Sequence, residues 1–351
     1  MKTVAGILTR VRAAGIALRA RQDALPMLLA ALLLGAALLR PGLPITRLQV
    51  DAVAVVDITQ SMNVLDGRSG DKPLSRLAEA KARLAGLVRR LPCGSRLGLA
   101  IFAEYRTFLL LAPIEVCQHQ QELLGTLAQM DGRMSWAGAS EVAKGINSGM
   151  ETVKALSNKP ALVFLTDGHE SPPVNARYRP SFTVERGEVR GLIVGVGGDA
   201  LLPIPKFDPA GAPQGLWGAS EVLQVDPRSL GRGGSVGGEQ MVDPEEALAK
   251  PLPGVTPGAE HLSSLREDYL RLLAGETGLS YQRLVNEERL LEALSGDKLA
   301  RAAPTQLDLR PWLGAGALLC LLLPLLPQPS RGWRRRRRNQ AAAARAMRPQ
   351  R

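Results

Sequence analysis

Three short apolar runs rich in β-branched residues limit what this chain can become. They are Ala52–Ile58 (AVAVVDI), Ala161–Thr166 (ALVFLT) and Gly191–Gly197 (GLIVGVG). Runs this short and this uniformly apolar are the mark of strands buried on both faces, as in a parallel sheet. Segments of helical period separate them. Ser75–Leu91 places Leu77, Ala80, Leu84, Leu87, Val88 and Leu91 on one face, and Glu122–Met130 and Glu141–Leu156 read the same way. Arg96–Ala103 and Thr107–Ala112 flank Glu104-Tyr105-Arg106 as a tight hairpin. Leu202–Pro257 is rich in proline and glycine and reads as an insertion. Pattern returns as a helix over His261–Ala274, a strand over Leu279–Leu284 and a helix over Glu287–Leu294. The expected fold is α/β: a doubly wound, mostly parallel sheet with one antiparallel edge hairpin. Its core lies at 47–200, its insertion at 201–258 and its last part at 259–298. Ligands of such sheets sit at the carboxyl ends of strands.

The net charge of +11 is unevenly placed. Residues 1–23 carry +4 and residues 328–351 carry +9, so everything between holds −2. A slightly acidic body argues against a nucleic-acid surface. Inside each basic tail lies an uncharged run, 24–39 and 311–327, at the short edge of the ~17–25 residues a spanning helix needs. A cleavable signal peptide is the alternative for the first run, but Leu38-Leu39-Arg40 is a poor cleavage site. A buried core helix is the alternative for the second, and the Arg331–Arg338 cluster argues for a membrane stop that meets anionic lipid headgroups. Positive flanks stay in the cytoplasm. The expectation is a two-pass protein of a bacterial inner membrane, held in lipid by two transmembrane helices. Both ends are then cytoplasmic and the main domain periplasmic.

The chemistry gathers where strands end. Asp57-Ile58-Thr59-Gln60-Ser61 puts one carboxylate and two hydroxyls at alternate positions on one loop. Asp167 ends a second core strand, and Ser140 opens a helix. An all-oxygen set of this kind suits a hard divalent cation, Mg2+ or Ca2+. Asp, Ser and Thr also cap helices, which is the plainer account of any one of them. His169 and Glu170 follow Asp167. A lone histidine there reads as a loop residue, because an imidazole site needs more nitrogen or sulfur partners than three scattered histidines supply. Tyr105 and Trp136 read as packing residues. No Walker loop, His-Glu-x-x-His or Gly-x-Ser-x-Gly is present, so no enzyme activity and no catalytic residue is expected.

The sequence DITQS, then GAS before a helix, then LTDG after a strand resembles the metal-ion-dependent adhesion site (MIDAS) of von Willebrand factor A domains, a Rossmann-like fold. The family pattern is Asp-x-Ser-x-Ser, a Thr and an Asp. Asp57, Thr59, Ser61, Ser140 and Asp167 match it in order, with Thr59 in place of a Ser and Ser140 in place of the Thr. The resemblance implies a metal held by the hydroxyls, acids in support, and one position open to a partner's carboxylate. VVDITQSMNV, LPCGSRLGLAIFAEYRT, LLPIPKFDPAGAPQGLWG and HLSSLREDYLRLLA are similar to a narrower group, the von Willebrand A accessory proteins of methanol dehydrogenase. That likeness implies maturation of the periplasmic enzyme, by calcium insertion or assembly, with methanol dehydrogenase or its other accessory proteins as partners. The alternative is a generic von Willebrand A adaptor working with a MoxR-type ATPase in envelope assembly or stress.

Of three cysteines, Cys320 lies in the second apolar run and reads as a small packing residue. Cys93 and Cys117 are equidistant from Tyr105, the middle of the hairpin turn. Residues equidistant from a turn face each other across an antiparallel ladder, close enough for a disulfide. An exported domain permits that bond.

Overall fold

The computed structural model describes residues 24–69, 72–135, 138–174, 180–225, 255–256, 258–296 and 299–325. Trp136, both basic tails and the centre of the insertion lie outside them. The chain divides into two units, Thr46–Ala303 and a second made from the two chain ends.

The larger unit is built on a sheet whose middle strand is β1 (Gly42–Asp57). Parallel to it on one side runs β4 (Arg96–Ala103), then β5 (Arg106–Glu115), antiparallel, at the edge. On the other side run β6 (Ala161–Thr166), β7 (Gly191–Gly195) and β12 (Ser280–Arg283), all parallel. β13 (Ala300–Asp308) pairs with β1 off this path. The expected mixed, mostly parallel α/β sheet with an edge hairpin is therefore present. Alternation along β1 sends Ala52, Ala54 and Val56 to one face and Val53 and Val55 to the other. The first face is covered by α2 (Arg76–Arg90), α3 (Gln120–Gln129) and α6 (Glu287–Ser295), through Leu84, Leu87, Leu123, Leu127, Leu290 and Leu294. The second is covered by α4 (Val142–Ala155) and α5 (Glu267–Thr277), through Ile146, Met150, Leu270 and Leu273.

The chain leaves β1 toward β4 on one side and later returns to β6 on the other. Strand order therefore reverses beside β1, and a crevice opens where β1 and β6 end. Asp57 closes β1 and Asp167 follows β6, so topology alone brings the two acids to that crevice.

Two readings need correction. The helix expected over His261–Ala274 begins only at Glu267; before it, β11 (Leu262–Ser263) pairs with β8 (Leu202–Pro203). Those two residues follow the helical period, but pairing with β8 and the Ser263 hydroxyl's contacts with Asp167 and Arg76 fix them as extended chain. The insertion is also not wholly irregular, since β9 (Pro205–Phe207) and β10 (Pro213–Leu216) form a ribbon within it. β13 has no counterpart in the sequence reading. Tyr105 is half-buried with the Arg106 guanidinium 5.0 Å from its ring centre.

Cys93 and Cys117 are joined, with Cα atoms 5.3 Å apart. Two register shifts between Ala103↔Arg106 and Arg96↔Glu115 offset the ladder by two residues, and the cysteines meet just beyond its base. A disulfide closing a loop of this length stabilises by about 3 kcal/mol in the chain-entropy model. Reduction by dithiothreitol is expected to lower Tm measurably, and a Cys93→Ser variant to melt at the reduced value with or without reductant.

In the smaller unit, the helix over residues 24–38 (α1) and α7 (Arg310–Leu322) meet through Ala30, Leu33, Ala317 and Cys320. Among the described residues, no helix is long and apolar enough to cross a membrane.

Candidate metal centre

The loop after β1 is shaped by its own first residue. Asp57 Oδ1 accepts from the Thr59 backbone N–H at 2.9 Å and from the Thr59 hydroxyl at 2.7 Å. Asp57 Oδ2 accepts from the Thr166 hydroxyl at 2.6 Å, which ties the end of β1 to the end of β6. A short 3-10 turn, Gln60–Asn63, then carries Ser61 inward. The Ser61 Oγ lies 3.5 Å from Thr59 Oγ1 and donates to Asp167 Oδ1 at 3.1 Å. Two hydroxyl–carboxylate pairs, Thr59 on Asp57 and Ser61 on Asp167, thus stand side by side, and all four residues are buried.

Ser140 is the fifth. Its backbone is locked in two bonds with Ser171, both at 2.7 Å, and the next residue's N–H donates to Glu104 O. Its hydroxyl is buried without any hydrogen-bond partner. Ser140 and Ser61 both line a cavity of about 210 Å³ at the strand ends, together with Ile204, Trp217, His169 and Glu260. Leaving a buried hydroxyl unsatisfied costs roughly 1–3 kcal/mol. A cation held by the Ser140 and Ser61 oxygens would offset that cost, so the donor set fits a hard divalent ion.

Sequence reasoning does not find Arg76. Its side chain is fully buried at the first turn of α2. Nε and Nη2 donate to the Asp66 carboxylate, Nη1 to Asp167 Oδ2 at 2.6 Å and to Ser263 Oγ at 2.7 Å, and Nη2 to Ser263 O. All five guanidinium hydrogens are engaged. Gly197 makes room for it: at φ +114°, a Cβ there would stand 2.5 Å from Arg76 Nε.

The two acids differ in charge for physical reasons. Burial first, and the nearby Asp167 charge second, push the Asp57 carboxyl up to about 7, against its bonds from Thr166 and Thr59. Burial acts upward on Asp167 also, but the Arg76 guanidinium, with His169 and Ser61, outweighs it and holds that carboxyl below its ordinary value. Without a cation, Asp167 keeps the charge and Asp57 keeps a proton near neutrality.

Glu170 fixes the neighbouring helix. Its carboxylate accepts from the Val142 and Ala143 N–H groups at 2.8 and 2.9 Å, at the start of α4, and from the Tyr269 hydroxyl at 2.6 Å. Burial nevertheless raises its carboxyl to about 7 from 4.5. Between those values the native state binds more protons than the unfolded state, so this group's contribution is whole below about 4.5 and lost as pH rises through 7. That loss is on the order of 3 kcal/mol. Urea titrations at pH 5 and pH 8 are expected to show a steeper decline in wild type than in Glu170→Gln.

The insertion roofs the site. The Trp217 indole N–H donates to Gln60 Oε1 at 3.3 Å, and Lys206 Nζ sits 4.5 Å from the centre of the same indole.

No protein-family model matches the chain, and no curated protein does. Among solved structures it is similar to an aerotolerance-related membrane protein from Bacteroides fragilis, at 18% identity over 70% of this chain and 96% of that one, TM-score 0.43. It is similar to the conserved hypothetical protein BatB from Bacteroides thetaiotaomicron, at 17% over 70% and 95%, TM-score 0.43. It is also similar to the manganese-loaded TRAP protein of Plasmodium vivax, at 12% over 76% and 81%, TM-score 0.35.

Proposed function

We propose that this protein is a membrane-tethered docking module of the von Willebrand factor A type, binding and not catalytic, whose partner completes a divalent-cation site. The observation that carries this is the buried, unpartnered Ser140 hydroxyl facing the Ser61 cavity, with Asp57 and Asp167 behind it. Thr59, Ser61 and Ser140 supply neutral oxygens to Mg2+ or Ca2+, and the two acids orient the first two hydroxyls. When bound, the cation supplies attraction for a partner's carboxylate. Arg76 cancels much of the Asp167 charge, which favours an added anionic ligand over a closed, tightly held ion.

Tethering is supported by the smaller unit. Small residues, Ala30, Ala317 and Cys320, face inward between α1 and α7. Leu25, Leu28, Leu32, Trp312, Leu319 and Leu322 face outward and are exposed. Small residues within, beside Leu33, and other leucines outside is the pattern of helices paired in lipid. With basic tails on both sides, this reading makes the protein two-pass in an inner membrane, with the main domain periplasmic.

The client we propose is methanol dehydrogenase, with its other accessory proteins, on the strength of the four sequence stretches quoted above. Deleting the gene, or substituting Asp57→Ala, is expected to leave the dehydrogenase present but poorly active, with activity restored by added Ca2+. Normal activity in the deletion strain would overturn the client assignment and favour an adaptor for a MoxR-type ATPase.

A further inference from the structure

The cavity beside Ser61 and Ser140 carries a second pair of donors. His169 is 3% exposed, its backbone N–H is fixed on Asp167 Oδ1 at 3.0 Å, and its Nε2 has no hydrogen-bond partner. Glu260 is 1% exposed. Its Oε1 accepts from the Thr256 N–H at 2.7 Å and its own N–H donates to Gln224 Oε1, which sets the carboxylate and turns Oε2 toward His169. The distance from His169 Nε2 to Glu260 Oε2 is 3.5 Å.

That separation is long for an N–H···O bond, which falls at about 2.7–3.2 Å. It matches two ligands of one cation: bonds of about 2.0–2.2 Å meeting at a tetrahedral angle put nitrogen and oxygen about 3.4 Å apart. The cavity of about 210 Å³ leaves space for several waters to fill the remaining positions. Arg266 Nη2 donates to Thr256 Oγ1 at 3.1 Å and stands 3.8 Å from the same Oε2, so the guanidinium pairs with that carboxylate at longer range than His169 does.

We propose that His169 and Glu260 form a second divalent-cation site in this cavity, one that takes a borderline transition ion such as Mn2+ or Zn2+. Imidazole nitrogen paired with one carboxylate favours these ions over Mg2+ and Ca2+. The pair shares its cavity with Ser61 and Ser140 but uses none of the five residues of the oxygen cluster as a ligand. Glu260 comes from just after the insertion and His169 from the loop after β6, so the two meet only in the folded domain.

The test uses the full chain in detergent, without a histidine tag and stripped by chelator. Pulsed electron paramagnetic resonance of added Mn2+ is expected to show coupling to one imidazole nitrogen. His169→Gln loses that coupling, and His119→Gln/His261→Gln, which removes the chain's other histidines, keeps it. In calorimetry, His169→Gln and Glu260→Gln each weaken Zn2+ binding by at least about tenfold and retain a Mg2+ isotherm. Asp57→Asn does the reverse: it loses Mg2+ and keeps the nitrogen coupling. Absence of nitrogen coupling in the wild-type protein would overturn the site and leave His169 and Glu260 an ion pair, whatever the Mg2+ result. Zn2+ binding unchanged in folded His169→Gln would overturn it equally.

Discussion

Replacing Arg76 with methionine is expected to cost about 3–5 kcal/mol of stability, the usual penalty for breaking a buried ion pair from one side. For a domain of this size that is a fall in Tm on the order of 10 °C. The change leaves Asp66 and Asp167 without their guanidinium and takes a donor from Ser263. Lysine offers no remedy, since one ammonium cannot reproduce five donors in a plane. Arg89, exposed on the same helix, is the control, and Arg89→Met is expected to stay within about 0.5 kcal/mol of wild type. The variant also carries a signature of the proposed function. With Asp167 uncompensated, added Mg2+ or Ca2+ should recover more Tm in Arg76→Met than it adds to wild type. An equal cation effect in both proteins would disconnect Arg76 from the site.

The second large effect belongs to Asp57 and has two opposed parts. Its carboxyl is raised to about 7 from 3.8, so its proton is retained on folding and its charge is disfavoured. The contribution to stability is whole below about 3.8 and is lost as pH rises through about 7. Asp57→Asn, which keeps the shape and cannot ionise, is therefore expected to be more stable than cation-free wild type at pH 8 and nearly equal at pH 5. Adding 10 mM Mg2+, on the order of 100 times the dissociation constant if that constant is ~0.1 mM, should raise the wild type by about 2.7 kcal/mol and leave Asp57→Asn unmoved. The site is then costly when empty and stabilising when filled. Chemical melts of both proteins at the two pH values, with chelator and with cation, separate the two parts.

Much of the fold was readable because its signals are local. The runs at Ala52, Ala161 and Gly191 are too short and too apolar for anything but buried strands, and Ser75 caps the helix that its periodicity announces. The cysteines could be paired because hairpin symmetry is a property of adjacent chain. Thr59 on Asp57 and Ser61 on Asp167 stand at the strand ends where the sequence places their oxygens. What escaped depends on distant partners. Arg76 begins an amphipathic helix and reads as a surface charge, yet its partners Asp167 and Ser263 lie 91 and 187 positions away. Glu260 ends a proline- and glycine-rich stretch, and nothing near it in sequence announces His169. The helical period at His261–Ser264 is overridden because Ser263 is drawn onto Asp167 and Leu262 onto β8.

On the proposed function, Asp57, Thr59, Ser61, Ser140 and Asp167 together hold a divalent cation. Isothermal titration of Mg2+ and of Ca2+ into the chelator-stripped full chain, at pH 8 and at pH 6, tests it most directly. The expected result is one weak site that binds less well at pH 6, where Asp57 holds its proton, and that is absent in Asp57→Ala and weakened in Ser140→Ala. An isotherm that is the same in wild type and Asp57→Ala would contradict it.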